Sequence, residues 1–224
     1  MTAEYMTTSV SSPAERRRSK IRARILSAAE TVFARDGAEG LSIRRLAENI
    51  DYSPAAIYKY FSSKDELVDE LKETFFELIL ENVNRIVDTS TPFSERSRDC
   101  VATYVQIATE KPHHYAAAFT GEAASNGSKP VDGEPGFEMS KKGQAFNVLR
   151  GMIAEGIELG QFRADLDPAV AAKSLWASMH GLAMMIVHIP SFPALRPDQP
   201  TISREDFIAF HADQAIRGLE SHHE

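Results

Sequence analysis

The feature that most constrains this chain is the stretch of residues 41–64, LSIRRLAENIDYSPAAIYKYFSSK, which predicts two short helices joined by a tight turn. Ser42 is a candidate N-cap for the first helix, and Leu41 and Leu46 have the spacing of a hydrophobic staple. Asp51 stands in the turn, and Asp is one of the few non-glycine residues that tolerates a left-handed backbone. The stretch therefore predicts a helix-turn-helix unit.

The second helix of this pair predicts a surface that suits DNA. Ser53 is its N-cap, and Pro54 occupies the first helical position, where a missing N–H costs nothing. The side chains expected to be exposed are small, aromatic or basic: Pro54, Ala55, Ala56, Tyr58, Lys59 and Tyr60. Small residues let a helix approach the major groove, and Tyr and Lys reach phosphates. Short capped helices also occur in all-α proteins without DNA partners, so periodicity alone leaves both interpretations open.

The distribution of charge separates the two ends of the chain. Residues 1–64 carry 11 Lys and Arg against 7 Asp and Glu, whereas residues 65–224 carry 14 against 25. The net charge of −7 therefore hides a basic end that can face a polyanion. Six basic side chains cluster at the start of the first helix: Arg16, Arg17, Arg18, Lys20, Arg22 and Arg24. They are interpreted either as an ordinary solvated face or as an arm that contacts phosphates or the minor groove.

The order of residues through this region is L-S-I-R-x-L-A…S-x-A-x-I-Y-x-Y-F-x-S-K-x-E-L, and it resembles the N-terminal motif of the TetR/AcrR regulators. The resemblance spans about residues 20–72. This sequence departs from the family pattern at Asp51, where Gly is usual, and at Ala55 and Ala56, where Gly-Thr is common. The resemblance implies a DNA-binding transcriptional regulator that represses a gene and responds to a small ligand.

Carried over by position, the resemblance implies a set of DNA contacts. Ser42, Lys64, Tyr58 and Tyr60 are the expected contacts to the phosphate backbone. Arg44 is a candidate for base readout, together with the small residues and Lys59 of the second helix. The complete set of expected DNA-binding residues is Arg16, Arg17, Ser42, Arg44, Arg45, Ser53, Pro54, Ala55, Ala56, Tyr58, Lys59, Tyr60 and Lys64.

We expect an all-α fold, because no segment alternates at period two over the length of a strand. Residues 1–15 are predicted to form a disordered arm. Residues 16–64 are predicted to be a three-helix helix-turn-helix DNA-binding domain, and residues 65–224 a helical ligand-binding and dimerisation domain. Ser63–Glu66 predicts a capping box that opens a long helix to Val87, which joins the domains so that ligand binding can tilt the DNA-reading head.

The last two predicted helices indicate a homodimer. The helix from Pro168 to Ile189 is apolar on nearly every side, so it needs burial against a second surface as well as its own domain. The helix over Ser203–Leu219 is its expected companion in a four-helix interface between two copies. Dimerisation brings together two recognition helices for the half-sites of a palindromic operator, which lie about 34–36 Å apart.

One face of the Pro168–Ile189 helix carries Trp176, His180 and Met184 at i, i+4 and i+8. The Trp-x-x-x-His-Gly pattern resembles the C-terminal WHG-type domain of one branch of the TetR family. These side chains are interpreted either as core or as the wall of a largely apolar pocket for a small hydrophobic or aromatic effector. The expected ligand-binding residues are Tyr104, Phe119, Met152, Trp176, His180 and Met184.

Several classes of function are not expected. His113 and His114 are adjacent and point to different sides of a helix, so a metal site is not predicted. No phosphate loop, zinc-protease motif or catalytic Ser or Cys setting is present, so neither an enzyme nor a cofactor is predicted. The single Cys100, the absence of a secretory signal and the short apolar run Gly181–Val187 predict a cytoplasmic protein without a membrane partner. An architectural DNA-binding protein without an effector stays as an alternative.

Overall fold

The computed structural model describes residues 12–87, 90–120, 137–189, 191–194 and 202–221. Within these ranges the chain forms nine α-helices and, before α7, a single 3₁₀ turn at Phe137–Met139. The helices are α1 (Pro13–Gly40), α2 (Ile43–Asn49), α3 (Pro54–Ile57), α4 (Lys64–Val87), α5 (Phe93–Glu110), α6 (Pro112–Thr120), α7 (Lys141–Glu158), α8 (Pro168–His188) and α9 (Arg204–Arg217). The extended pairing in the described ranges is one bridge between Phe162 and Glu220. The predicted all-α class is confirmed.

The chain divides into an N-terminal unit, Met1–Leu71, and a C-terminal unit, Lys72–Glu224. The sequence placed this boundary between residues 64 and 65, at the start of α4. The structure places it two turns later, because Leu67, Val68 and Leu71 of α4 are buried and belong to the N-terminal unit.

Helix α1 begins earlier than the sequence predicted. Residues 13–15 were assigned to a disordered arm, yet Pro13 is the first helical residue. Ser12 and Glu15 form a capping box, in which Ser12 Oγ accepts the Glu15 N–H and the Glu15 carboxylate accepts the Ser12 N–H. This capping outweighs the polar composition of the segment. The prediction for residues 1–11 lies outside the described residues.

The turn of the helix-turn-helix has the predicted backbone. Asp51 adopts a left-handed conformation with φ 59°, and the Tyr52 N–H reaches back to the Ala47 carbonyl at 2.9 Å. Ser42 stands at the N-cap of α2, but its side chain makes no capping hydrogen bond, contrary to the prediction. Its main-chain carbonyl instead accepts the Leu46 N–H at 2.8 Å, and the burial of Leu41 and Leu46 fixes the start of the helix.

Helices α3 and α4 are both capped by serine. Ser53 Oγ accepts the Ala56 N–H at 3.2 Å, as predicted, and α3 ends at Ile57. Ser63 Oγ accepts the Glu66 N–H at 3.0 Å, which is half of the predicted capping box. The Glu66 carboxylate accepts the N–H and O–H of Ser62 instead, one residue earlier, and these bonds lower the pKa of Glu66.

The C-terminal unit is built around α5, which packs against α6, α7, α8 and α9. Its core is apolar and rich in aromatic rings, and the Phe75 ring makes edge contacts with Tyr104, Tyr115 and Phe119. Arg98 of α5 fastens the C-terminal segment by binding the carboxylates of Asp213 and Glu220, both at 2.8 Å.

The hydrophobic repeat over residues 137–160 predicts one helix, but the structure divides this segment into a short turn and α7. Ser140 caps a fresh start of α7 by accepting the Gly143 N–H, so residues 137–139 form a separate turn. Gly156 near the end of α7 marks close packing, because a Cβ there would lie 2.3 Å from the Phe162 ring. Residues 121–136 are rich in Gly, Pro, Ser and Asn, which predicts a loop, and they lie outside the described residues.

Candidate functional sites

The surface of the helix-turn-helix exposes most of the predicted DNA-binding side chains. Burial of Ile43, Leu46 and Ile57 turns the other faces of α2 and α3 to solvent. Among the predicted residues, Arg16, Arg17, Arg44, Arg45, Ser53, Pro54, Ala55, Tyr58 and Lys59 are exposed, and Ser42, Ala56, Tyr60 and Lys64 are half-buried. The short helix α3 thus offers small side chains flanked by an aromatic ring and an ammonium group. This combination is compatible with contact in a DNA major groove.

The basic cluster of α1 divides into two groups. Arg18 donates to the Lys59 carbonyl at 3.2 Å, and its guanidinium lies over the Tyr60 ring. Arg22 forms a two-point ion pair with Glu70 and lies 4.6 Å from the centroid of the Phe61 ring. These arginines hold α1 against the rest of the N-terminal unit, whereas Arg16 and Arg17 are exposed in the first turns of the helix.

Arg44, the candidate for base readout, is 85% exposed and pairs with Glu48 one turn along the same helix, at 3.1 Å. An exposed pair of this kind contributes little to stability. The guanidinium can therefore exchange Glu48 for a stronger partner, such as a base edge, at small cost.

The C-terminal unit contains a cavity of about 500 Å³ between α4, α5, α7 and α8. Its walls are mostly apolar and include five aromatic rings: Phe76, Tyr104, Phe137, Phe146 and Trp176. The other lining residues are Ile79, Leu80, Val83, Cys100, Lys142, Ala145, Val148, Leu149, Lys173, Ala177 and Met179. Volume and lining are those of a typical small-molecule pocket.

A network of hydrogen-bonded side chains lies next to this cavity. Trp176 Nε1 donates to the Tyr104 hydroxyl at 3.3 Å. Nδ1 of His180 lies 2.9 Å from the Tyr115 hydroxyl and 3.3 Å from that of Tyr104. Burial raises the pKa of both tyrosines, and burial followed by repulsion from Lys142 lowers the pKa of His180. All four side chains of the network are therefore neutral near pH 7.

The structure brings together some of the predicted ligand-binding residues. Tyr104 and Trp176 line the cavity. Phe119 and His180 lie behind this wall, where their rings are 4.5 Å apart and the Phe119 ring is 5.9 Å from that of Trp176. Met152 packs on the core of the unit. Met184 is 40% exposed and lies away from the cavity lining.

Sequence reasoning missed most of the cavity wall. Phe146 and Leu149 of α7 were interpreted as core, and Lys142 was not among the predicted residues. Lys142 precedes Phe146 by four residues and Leu149 by seven. These spacings place the lysine on the same face of α7 as two apolar side chains that line the cavity. Lys173, one turn before Trp176 on α8, has a similar position. In each case a lysine occupies a position where the helical repeat predicts an apolar side chain. This signal could have identified both lysines as cavity residues.

One side of α8 is buried, and the other exposes apolar surface. Seven side chains of α8 are in the core of the C-terminal unit: Ala171, Ala172, Leu175, Met179, Leu182, Ala183 and Ile186. Val170, Met184 and Met185 are exposed on the remaining surface, and Phe210 of α9 is 55% exposed. By length and composition alone, α8 could cross a membrane, and 39% of its apolar window is buried inside the protein. No group of three or more potential metal ligands occurs among the described residues.

Comparisons with known families assign both parts of the chain. A family model described as bacterial regulatory proteins, tetR family, matches residues 25–71. A second model, described as a tetracyclin repressor-like C-terminal domain, matches residues 97–205. Together the two models cover well over half of the chain.

Individual relatives agree with this assignment. The chain is 28% identical over 147 residues to the HTH-type transcriptional repressor KstR2 of Mycobacterium tuberculosis. The aligned region covers 65% of this chain and 71% of that protein. A solved structure of a protein with unknown function from Rhodococcus sp. RHA1 superposes with a TM-score of 0.71 at 21% identity, covering 96% and 100% of the two chains. The structure of the ketosteroid transcriptional regulator KstR2 of M. tuberculosis superposes with a TM-score of 0.58 at 22% identity, covering 90% and 96%. At these identities the two structures support the fold alone.

Proposed function

Because this chain belongs to the TetR family of DNA-binding transcriptional regulators, we propose that it is a repressor that binds a palindromic operator as a homodimer. We further propose that a small hydrophobic or aromatic effector releases it from DNA. The protein then acts in the cytoplasm, where its DNA is, and performs no catalysis. The M. tuberculosis relative is named a repressor, which supports the direction of regulation.

The observation that carries the proposal is the exposed face of α2 and α3. Ser53 and Pro54 start α3 at the protein surface, and the small side chains of Ala55 and Ala56 leave its backbone approachable. Tyr58 is 51% exposed beside Lys59. We assign phosphate contacts to Tyr58, Tyr60, Lys64 and Ser42, because hydroxyl and ammonium groups are the usual donors to the DNA backbone. Arg16, Arg17, Arg45 and Ser53 complete the proposed contact surface.

Base readout is assigned to Arg44 with Lys59 and the small side chains of α3. An arginine contacts guanine through O6 and N7, and one such contact contributes about 1–3 kcal/mol to discrimination between bases. The alanines at positions 55 and 56 supply shape and a methyl contact, without a hydrogen bond.

Dimerisation is proposed through α8 and α9. The exposed apolar side chains of Val170, Met184, Met185 and Phe210 form a surface that a second copy would bury. Gly181 is open on the same helix, since a Cβ added there would have no atom within 4 Å, so another helix can approach closely at this point. In a dimer with a two-fold axis through this surface, each copy contributes one recognition helix. The two helices can then contact the two half-sites of a palindrome.

The effector is assigned to the cavity of the C-terminal unit. Phe76, Ile79, Leu80 and Val83 of α4 form part of the cavity wall. The first turns of the same helix belong to the N-terminal unit. A molecule that fills the cavity therefore acts on a helix that also supports the DNA-binding unit, which gives the effector a route to change operator affinity.

Fluorescence anisotropy tests the DNA contacts, with the DNA that flanks this gene compared with random DNA. Tyr58→Phe combined with Lys64→Ala removes two phosphate contacts, so we expect the affinity for both DNAs to fall and the salt dependence to become less steep. Arg44→Ala should instead reduce the preference for one base in the operator by about 1–3 kcal/mol. Arg35, which pairs with Asp36 on α1, provides a matched control in Arg35→Ala. A double variant that weakened only the specific complex would contradict the phosphate assignment.

A further inference from the structure

We propose that the effector carries an oxygen acceptor, such as a carbonyl or ether oxygen, on a flat apolar body, and that the Tyr104 hydroxyl donates a hydrogen bond to this oxygen. This inference rests on the proposed function of the cavity as an effector site and adds the chemistry of its ligand. The observation that carries it is the hydrogen-bonded network at the cavity wall, which consists of Tyr104, Tyr115, Trp176 and His180.

The lining of the cavity favours a flat apolar ligand. Five aromatic rings belong to a wall that encloses about 500 Å³, and aromatic rings contact a flat ring system over a large area. An oxygen atom on such a ligand loses its hydrogen bonds to water when it enters this space. That loss is unfavourable unless a group of the wall donates a hydrogen bond in return. A donor at the wall therefore determines whether a ligand with an oxygen acceptor binds better or worse than its hydrocarbon analogue.

The Tyr104 hydroxyl is suited to donate and not to accept. Its oxygen already accepts the Nε1–H of Trp176 at 3.3 Å. Burial raises the pKa of Tyr104, so the hydroxyl keeps its proton at neutral pH. Tyr104 and Trp176 both line the cavity, which places the hydrogen bond between them at its wall. A hydroxyl that retains its proton and already accepts one hydrogen bond offers a ligand mainly its O–H.

The Tyr115 hydroxyl allows Tyr104 to exchange its partner. It lies 2.9 Å from Nδ1 of His180 and 3.1 Å from the His180 carbonyl, so one proton has two acceptors. The Tyr104 hydroxyl lies 3.3 Å from the same Nδ1. Burial lowers the pKa of His180, so its ring is neutral near pH 7.5 and Nδ1 can accept a hydrogen bond.

Two arrangements of these protons satisfy Nδ1 of His180 equally. Without a ligand, Tyr104 donates to Nδ1 and Tyr115 donates to the His180 carbonyl. When Tyr104 donates to a ligand oxygen, Tyr115 donates to Nδ1 instead, across the shorter of the two distances. Because Nδ1 keeps a donor in both arrangements, a ligand can take the Tyr104 proton without leaving a buried nitrogen unsatisfied.

Three neutral compounds with one shape test the inference on the full-length protein: 9-fluorenone, fluorene and carbazole. At the bridging position the first carries a carbonyl acceptor, the second a methylene group and the third an N–H donor. Equilibrium dialysis at pH 7.5, with free and bound compound measured by chromatography, gives the dissociation constants. We expect fluorenone to bind about fivefold more tightly than fluorene. Carbazole should bind no more tightly than fluorene, because the Tyr104 oxygen already accepts from Trp176.

The decisive variants are Tyr104→Phe and Tyr115→Phe, with Cys100→Ala as the matched control on the wall. Tyr104→Phe removes only the hydroxyl, so fluorene affinity should stay within about twofold of the wild type while the preference for fluorenone disappears. The Cys100 thiol, whose pKa is raised to about 12, is a weak donor, so Cys100→Ala should retain the full preference.

Tyr115→Phe tests the exchange of partners. Tyr115 is fully buried and is not among the described residues that line the cavity. Its loss leaves Nδ1 of His180 dependent on the Tyr104 proton, so Nδ1 competes with the ligand oxygen. We expect the preference for fluorenone to fall to about twofold or less, with fluorene affinity within about twofold of the wild type. An unchanged preference would overturn the exchange between Tyr104 and Tyr115.

Two further results overturn the inference in distinguishable ways. Equal affinity for fluorenone and fluorene in the wild type, or a preference for fluorenone that survives in Tyr104→Phe, excludes the Tyr104 hydroxyl as the donor and leaves the proposed function of the cavity intact. If none of the three compounds binds to protein that still binds DNA, the effector site itself fails together with the inference, and DNA binding alone stands.

Discussion

The two units of this chain offer opposite kinds of surface for the DNA and the effector proposed above. The N-terminal unit buries an apolar core and turns small, aromatic and basic side chains outward on α2 and α3. The C-terminal unit has its proposed binding surface inside, as an aromatic cavity with two lysines. The charge difference follows a boundary at residue 64 and not the boundary between the units, because Asp65, Glu66, Asp69 and Glu70 of α4 make residues 1–71 neutral overall.

The difference fits the two partners that we propose. A DNA surface must be reachable by a large rigid polyanion, so it has to lie on the outside of the unit. A small apolar molecule must lose its contact with water, so its site needs walls from several helices that are distant in sequence. If the two units are independent in this sense, they should also respond separately to changes in stability and pH.

The largest effect is expected from Phe33→Ala in the N-terminal core. Phe33 is fully buried, so its truncation should cost about 3–5 kcal/mol of unfolding free energy. Trp176, the single tryptophan, lies in the C-terminal unit and reports on that unit alone. In urea we expect circular dichroism to show early loss of helix, while the midpoint of the tryptophan transition stays unchanged. Phe33→Leu, which keeps most of the volume, should cost under about 1.5 kcal/mol.

Equal shifts of the circular dichroism and tryptophan transitions in Phe33→Ala would contradict the independence of the two units. They would show that the units unfold as one cooperative block, in which α4 transmits the whole loss of stability.

A smaller effect is expected from the serine caps of the helix-turn-helix. Ser53 Oγ accepts the Ala56 N–H, so Ser53→Ala should lower stability by about 1 kcal/mol. Ser42 occupies the equivalent N-cap position of α2 but makes no side-chain cap, so Ser42→Ala should change stability by less than about 0.5 kcal/mol. Thermal unfolding of the two variants without DNA measures this difference. A larger loss in Ser42→Ala than in Ser53→Ala would refute the assignment.

The pH dependence between 5 and 7 should arise in the C-terminal unit, because all seven histidines of the chain lie beyond residue 112. His180 has a folded pKa below the ordinary histidine value of 6.5, through burial and then Lys142, and burial lowers the pKa of His211. The unfolded chain then binds protons first as pH falls, so stability is complete above about pH 6.5 and decreases as pH drops through the folded pKa values.

We expect His180→Asn to flatten this decrease by under about 1 kcal/mol, since the ring is only partly buried and solvent screens its charge. His188→Asn at the end of α8 is the surface control. Urea unfolding monitored by Trp176 at pH 7.5 and 5.5 gives the comparison. If His180→Asn left the pH dependence unchanged, the lowered pKa of His180 would not contribute to stability.

The smallest effect is expected at the turn between α2 and α3. Asp51 has φ 59°, a conformation that costs most residues about 1–2 kcal/mol and Asp less. Asp51→Gly removes this strain but adds freedom to the unfolded chain, so we expect a gain of a few tenths of a kcal/mol. Asp51→Val should be destabilising, because a β-branched residue does not tolerate positive φ. A loss of stability above about 1 kcal/mol in Asp51→Gly would show that the Asp side chain itself holds the turn.

The sequence predicted the N-terminal unit well because its signals are local. The Ser53 cap, the first-turn Pro54 and the left-handed Asp51 each act over a few residues. The start of α1 was misplaced even though its signal was equally local. Ser12 and Glu15 have the spacing of a capping box, but the polar composition around them was given more weight.

The cavity could not be predicted in the same way, because helical periodicity identifies inward faces but not the space between them. Phe146 and Leu149 are expected to point inward whether they belong to the core or to a pocket wall, and only the packing of four helices leaves a cavity beside them. Tyr104 and Trp176, which are among the predicted ligand-binding residues, line the cavity. Lys142 was missed because a lysine on an apolar face is easily interpreted as a long side chain that reaches solvent.

Site-specific DNA binding is tested most directly by selecting the DNA that the purified protein binds from a library of random 40-base-pair duplexes. We expect enrichment of one palindromic sequence whose half-sites are centred one helical turn of about 10–10.5 base pairs, or a multiple of it, apart. We also expect this sequence to bind at least about a thousandfold more tightly than random DNA and to be occupied by one dimer. No enrichment, with equal and weak binding to every duplex, would contradict the conclusion that this chain is a site-specific regulator.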